Sequence, residues 1–107
     1  MTVDFTGSMG IKRRPAVVVS STLYHATRPD IVLAVLTTQT HNATSPTDFV
    51  LQDWSAAGLR QPSAFRAYFG MRTHSQIRVI GHLTERDWNA VQERLNVAIA
   101  VPAINKP

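Results

Sequence analysis

Lys12-Arg13-Arg14-Pro15 is the densest set of chemistry-bearing residues in the chain, and it runs directly into Ala16-Val17-Val18-Val19-Ser20. Three cations at the entrance of a β-branched run can hold a phosphate, because the strand anchors the backbone while the side chains project. A second polar set, Thr37-Thr38-Gln39-Thr40, stands where the apolar run from Ile31 ends. Hydroxyl groups at that point can bond a phosphate or a ribose. Arg66 lies between Phe65 and Tyr68 inside a predicted strand, so it must face solvent or a groove, and a groove with aromatics suits a stacked base. Each set has a plainer reading as well: a solvated basic turn, the ordinary strand preference of threonine, and an outward-facing strand position. Residue type and spacing leave both readings open.

Other chemistries find less support. His25, His41, His74 and His82 invite an acid/base pair, but none stands at metal-ligand spacing from another, and their contexts are loops or surface. Asp53 and Asp87 fall at the starts of predicted helical segments, where capping accounts for them. The chain has no cysteine, which removes thiol catalysis, disulfides and thiolate-bound metals. No glycine-rich phosphate loop or nucleophile elbow occurs. Neither a metal nor an organic cofactor is called for.

Composition narrows the class of partner. Among 107 residues there are 11 Lys+Arg against 7 Asp+Glu, a formal charge of +4, and nine of the basic residues are arginines spread from Arg13 to Arg94. Scattered arginines must be gathered by the fold, and their planar donor forks match phosphate oxygens better than lysine does. A nucleic acid is the first partner this implies and an acidic protein the second; charge that serves only solubility is the alternative. Ile31–Leu36 is the longest apolar run, far short of a bilayer span, and residues 1–10 lack the apolar core of a signal peptide. A soluble, cytoplasmic protein is expected, built as one domain over residues 1–107.

The elements that must position these residues follow from pattern. Residues 1–10 are polar, with Gly7 and Gly10, and read as a loose arm. Pro15 should stand at the first position of the strand 16–20. Residues 21–30 read as a loop, 31–38 as a central strand apolar on both faces, 39–47 as an exposed loop, and 48–52 as a short strand. Asp53–Gly58 fits one helical turn, capped by Asp53 and ended by Gly58 in the left-handed conformation. Further strands are predicted at 63–68 and 78–81, separated by a break after Gly70. Thr84, Asp87, and the stripe Trp88, Val91, Leu95 and Ile99 predict one helix over 84–100. Short strands followed by a terminal helix suggest a bent sheet or small barrel with a helix against it.

Taken in order, Lys12–Ser20, Ile31–Thr38, Asp53–Leu59 with Pro62-Ser63, and Ile80–Thr84 closely resemble the MazF/PemK toxins of bacterial type II toxin–antitoxin systems. The resemblance runs from about Thr6 to Ala100 and rests on four pieces in the right order. It implies a mainly β fold, an SH3-like barrel with a C-terminal α-helix, and a homodimer that cuts single-stranded RNA without a metal and is silenced by a cognate acidic antitoxin. Arg14 matches the family's arginine before proline and Thr37 its threonine at the end of the next long strand, with Thr38 the match if the register slips by one, so Arg14 and Thr37 are implied as the catalytic pair. Lys12, Arg13, Thr38, Gln39 and Arg66 are the expected RNA-binding residues.

Two departures accompany the match. Some members carry an acid two residues after the arginine that matches Arg66; here that position is Tyr68. Members also open with a hydrophobic strand, whereas this chain resembles the family only from the loop that follows, so the first strand is expected to be missing and stability reduced. The resemblance leaves two other functions open. One is an inactive barrel that grips RNA or antitoxin; the other is a topoisomerase-binding poison of the same fold.

Overall fold

The computed structural model describes residues 1–6 and 13–100. Six antiparallel strands make one sheet: β1 (Thr2–Thr6), β2 (Arg13–Val18), β3 (Asp30–Thr37), β4 (Phe49–Val50), β5 (Ala64–Thr73) and β6 (Ile77–Gly81), in the spatial order β4-β5-β3-β2-β1-β6. Among the described residues two α-helices accompany it, α1 (Thr22–Thr27) and α2 (Glu85–Ala98), with single 3-10 turns at Thr40–Asn42 and His74–Gln76.

The strand expected to be missing is present. Residues 2–6, read from sequence as part of a loose arm, form β1 and pair with both β2 and β6. Its signal is short because only Val3 and Phe5 face the core, while Asp4 points the other way and bonds Arg78 at 2.9 Å. β2 begins two residues before Pro15. Val18 N–H donates to Met1 on the β1 side, so by alternation the position where Pro15 lacks a donor faces β3, beyond the last paired residue, Ala16.

β2 and β3 lie inside the sheet and are apolar on both faces, as predicted for the central strand. Val17, Ala34, Leu36 and Phe65 join Leu51, Ala57, Leu59 and Val91 in one cluster; Val3, Phe5, Ala16, Val18, Ile31 and Leu33 form the other. Helix α2 covers the first cluster through Val91, Trp88 and Leu95. Thr84 is its N-cap, with Oγ1 accepting from Asp87 N–H. The helix ends at Ala98 rather than 100, and Ile99, placed on the buried stripe by periodicity, is the C-cap residue and 62% exposed.

Residues 22–27, read as loop, form α1. Ser21 caps it by accepting from Tyr24 N–H at 3.1 Å, but none of its residues is buried, so no apolar periodicity announces it. The strand at 63–68 continues through Gly70 to Thr73, because a glycine inside a ladder weakens it without ending it.

The barrel expectation is also corrected, since no ladder joins β4 to β6 and the sheet stays open. The turn 53–59 reaches across to the β1/β6 edge instead. Thr2 Oγ1 donates to the carbonyl of Ala57 at 2.6 Å, and Gly58 adopts φ +85°, the left-handed conformation expected from sequence. A Cβ at Gly58 would collide with the carbonyl oxygen of Ile80, and one at Gly81 with that of Ala57.

Asp53 does not cap its own turn. Its carboxylate accepts from Thr84 Oγ1 at 2.6 Å and from Arg86 at 2.6 and 3.1 Å. The fully buried Asp87 accepts from the backbone N–H groups of Gln52 and Asp53, at 3.0 and 2.8 Å. Each acid therefore crosses to the other's segment and ties the turn to the start of α2.

Candidate functional site

The register of β2 and β3 pairs Ala16 with Val35, and Arg14 and Thr37 each stand two residues beyond that pair at the same end of their strands. Both lie on the sheet face that α2 does not cover. They line one groove of about 740 Å³ together with Phe5, Leu33, Val35, Leu36 and a stretch of β5.

β5 enters the groove through a bulge. Ala34 pairs with Phe69 but Leu36 pairs with Phe65, so three residues of β5, Arg66, Ala67 and Tyr68, stand against the single residue Val35. Ala67 at the centre has φ +54°, a left-handed value that L-residues adopt only under constraint. With Ala67 turned to the α2 side and packed on its cluster, Arg66 and Tyr68 both face the groove. No sequence signal marks this bulge, since alanine has no preference for that conformation.

Three guanidinium groups, those of Arg14, Arg66 and Arg72, line the groove, and among the described residues no carboxylate does. Arg72 lies over the ring of Phe5 at 4.8 Å, a cation–π contact that keeps the guanidinium on the groove wall. Arg66 Nε is 3.7 Å from the carboxylate of Asp48, a buried acid that also accepts from Ser45 N–H. Asp48 reads from sequence only as the start of a short strand; it orients Arg66 from behind without lining the groove. Thr37 Oγ1 accepts from Gln39 N–H at 3.1 Å, which leaves its own O–H available to donate into the groove.

The expected binding residues are thus divided. Arg14, Thr37 and Arg66 converge. Arg13 and Thr38, each one position away on its strand, turn to the opposite side and line a second hollow with Arg60 and Arg78. Gln39 lines neither; its side chain accepts from Asn42 at 3.0 Å. Lys12 lies outside the described residues. None of the four histidines lines either hollow: His25 bonds Ser20 and meets the ring of His74 edge-on, and His41 and His82 are exposed. Among the described residues no three His, Cys, Asp or Glu side chains gather to hold a metal ion, and no helix is long and apolar enough to cross a membrane.

Fold and groove together define a small, open antiparallel sheet with one covering helix and an arginine-lined concavity on its bare face. Solved structures share that fold. The chain superposes on a Mycobacterium tuberculosis toxin, MazF-mt6, with TM-score 0.72 and 18% identity over 95% of this chain and 99% of that one. It superposes on a mycobacterial endoribonuclease in complex with its cognate antitoxin with TM-score 0.74 and 19% identity, covering 94% and 93%. A MazE–MazF structure from Deinococcus radiodurans gives TM-score 0.70 and 16% identity, covering 94% and 92%. No curated protein matches the chain. The model of the PemK-like, MazF-like toxins of type II toxin–antitoxin systems matches residues 1–99, and the chain belongs to that family.

Proposed function

We propose that this protein is a metal-independent endoribonuclease acting on single-stranded RNA, the toxin half of a pair whose acidic antitoxin competes for the same groove. The observation that carries the reading is the convergence of Arg14, Thr37 and Arg66 on one groove that, among the described residues, no carboxylate lines. In RNA the nucleophile is already present. The 2′-hydroxyl gives up its proton as it attacks the adjacent phosphorus, the new P–O2′ bond closes a cyclic phosphate, and the P–O5′ bond breaks with a proton delivered to the leaving oxygen, so that no net proton is consumed. Negative charge grows on the phosphoryl oxygens meanwhile. A guanidinium from Arg14 and the outward O–H of Thr37 stabilise that charge, and loss of one such donor lowers kcat by roughly 10²–10³. Arg66, braced by Asp48, holds the substrate backbone, and Tyr68 offers a ring for a base. Exposed Phe69 and Met71 on β5 support a homodimer, which sedimentation of the purified protein would detect.

A second reading, a barrel that grips RNA or antitoxin without cutting, is favoured by one observation. Tyr68 occupies the position where some relatives carry an acid, and the carboxylate paired with Arg66, that of Asp48, is buried. Expression in a bacterial host with mapping of cut RNA ends separates the two. Growth arrest and new RNA ends that disappear in Arg14→Ala are expected. RNA binding with no cut ends would establish the second reading, and cutting unchanged in Arg14→Ala would remove Arg14 from the mechanism.

A further inference from the structure

The second hollow has a chemistry of its own. It encloses about 360 Å³ between the start of β2, the end of β3, the segment 58–63 and β6. Arg13, Arg60 and Arg78 line it together with Thr38, the apolar side chains of Leu59 and Ile80, and one acid, Asp4 of β1. Only Arg78 is neutralised, by Asp4 at 2.9 Å. Among the described residues Arg13 and Arg60 are both exposed and neither has an ion-pair partner. Small-molecule sites span roughly 300–1,000 Å³. This hollow stands at the lower end, of a size for one nucleotide and its phosphate rather than a folded element.

Its position relative to the groove decides what kind of ligand that is. Arg13 and Arg14 are consecutive on β2, and Thr37 and Thr38 are consecutive where β3 ends, yet each pair splits between the two concavities. The two sites therefore lie on opposite faces of the sheet at the same two strand ends, the entrance of β2 and the exit of β3, which form the lip between them. A linear polyanion passing over that lip meets cationic donors on both sides, at successive positions of the same two strands.

We propose that the Arg13/Arg60 hollow binds a phosphate of the same single-stranded RNA, one that flanks the linkage held at Arg14 and Thr37. This rests on the RNA-cleaving function proposed above and extends it to a second, sequence-independent backbone subsite across the lip. It accounts for arginines that serve no packing role. It also makes affinity depend on substrate length, because only a strand long enough to cross the lip reaches both sites.

The test uses 2′-O-methyl RNA, which lacks the nucleophile and stays intact, as a labelled mixed-sequence dodecamer and as a trinucleotide. Affinity is read by fluorescence anisotropy across a salt series for the wild type, Arg60→Ala, Arg13→Gln and Arg28→Ala. Arg28 is an exposed residue at the end of α1, away from both concavities, and controls for net charge. Arg60→Ala and Arg13→Gln should each weaken the dodecamer roughly fivefold and lower the salt slope by about 0.7, irrespective of sequence. The trinucleotide should lose far less, and Arg28→Ala should behave as wild type.

Unchanged dodecamer affinity in both variants overturns the subsite while leaving the cleaving groove in place. Equal losses for dodecamer and trinucleotide overturn it too. A loss confined to binding of the acidic antitoxin assigns the hollow to a protein partner instead. Failure of the wild type to bind the dodecamer at all removes the proposed function, and the subsite falls with it.

Discussion

Tyr68 exposes 71% of its surface on a strand whose neighbour Phe65 is fully buried, and the bulge at Ala67 aims it into the groove beside Arg66. No packing role explains a phenol held that way. Under the proposed function its ring is a stacking surface, where removal of an aromatic weakens single-strand binding by about 1–3 kcal/mol per base. Tyr68→Ala should therefore reduce affinity for non-cleavable RNA by that amount, whereas Tyr68→Phe, which keeps the ring, should match wild type in the same titration. Asp53 makes a different residue-scale prediction. Hydrogen bonds from Arg86 and then Thr84 hold its carboxyl below the ordinary aspartate value. A lowered folded pKa stabilises the protein fully above the unfolded pKa of about 3.9, and the contribution is lost as pH falls through the folded value. The difference in Tm between wild type and Asp53→Asn should be constant from neutrality to about pH 5 and shrink steadily below about pH 4. A gap that persists in strong acid would show that the ionised carboxylate is not what matters.

At the scale of elements, the junction of the 53–59 turn with α2 rests on Asp87, whose buried carboxylate accepts two backbone N–H groups. Asp87→Ala leaves both without an acceptor, and because these donors are only partly buried the loss should lie near about 1 kcal/mol for each, about 2 kcal/mol in urea unfolding. Asp87→Asn keeps one acceptor oxygen and should lose roughly half as much. Part of this junction is legible in sequence: Thr84 followed by Asp87 and the Trp88, Val91, Leu95 spacing announce α2 with its correct cap. The partners of Asp53 and Asp87 are not legible, because both acids satisfy a capping pattern locally and only the tertiary approach of the two segments exchanges their roles. The same limit applies to the groove. Arg14 and Thr37 can be matched by motif, and the β2/β3 register then brings them to the same end of neighbouring strands. Asp48 behind Arg66, Arg72 over Phe5 and the bulge that turns Tyr68 inward depend on a pairing irregularity that no residue type at those positions encodes. Strand β1 was hidden for a related reason, since a five-residue strand with two core-facing side chains differs little from a polar arm until its neighbours are present.

For the whole molecule, the absence of a β4–β6 ladder makes the 53–59 turn the closing element of the sheet. That turn touches β1 through Thr2 and abuts β6 so closely that glycine is needed on both sides of the contact, at Gly58 and Gly81. It also supplies, through Gly58 and Leu59, part of the wall of the second hollow next to Arg60, while Leu51, Ala57 and Leu59 complete the core under α2. Stability and the second concavity are consequently coupled through one backbone approach. Gly58→Ala should break it in two ways: the left-handed φ of +85° is unfavourable for alanine by roughly 1–2 kcal/mol, and the added Cβ must displace the Ile80 carbonyl. Together these should lower unfolding free energy by about 2–4 kcal/mol. The damage should also be local in a particular way. In native-state hydrogen exchange, amides of β1 and β6 should lose protection before those of β3 and β5, which pair along most of their length and lie away from the closure. A uniform loss across all six strands would mean that the turn merely adds core volume. Protection lost first in β6 would establish that this sheet is held shut by a turn rather than by a strand.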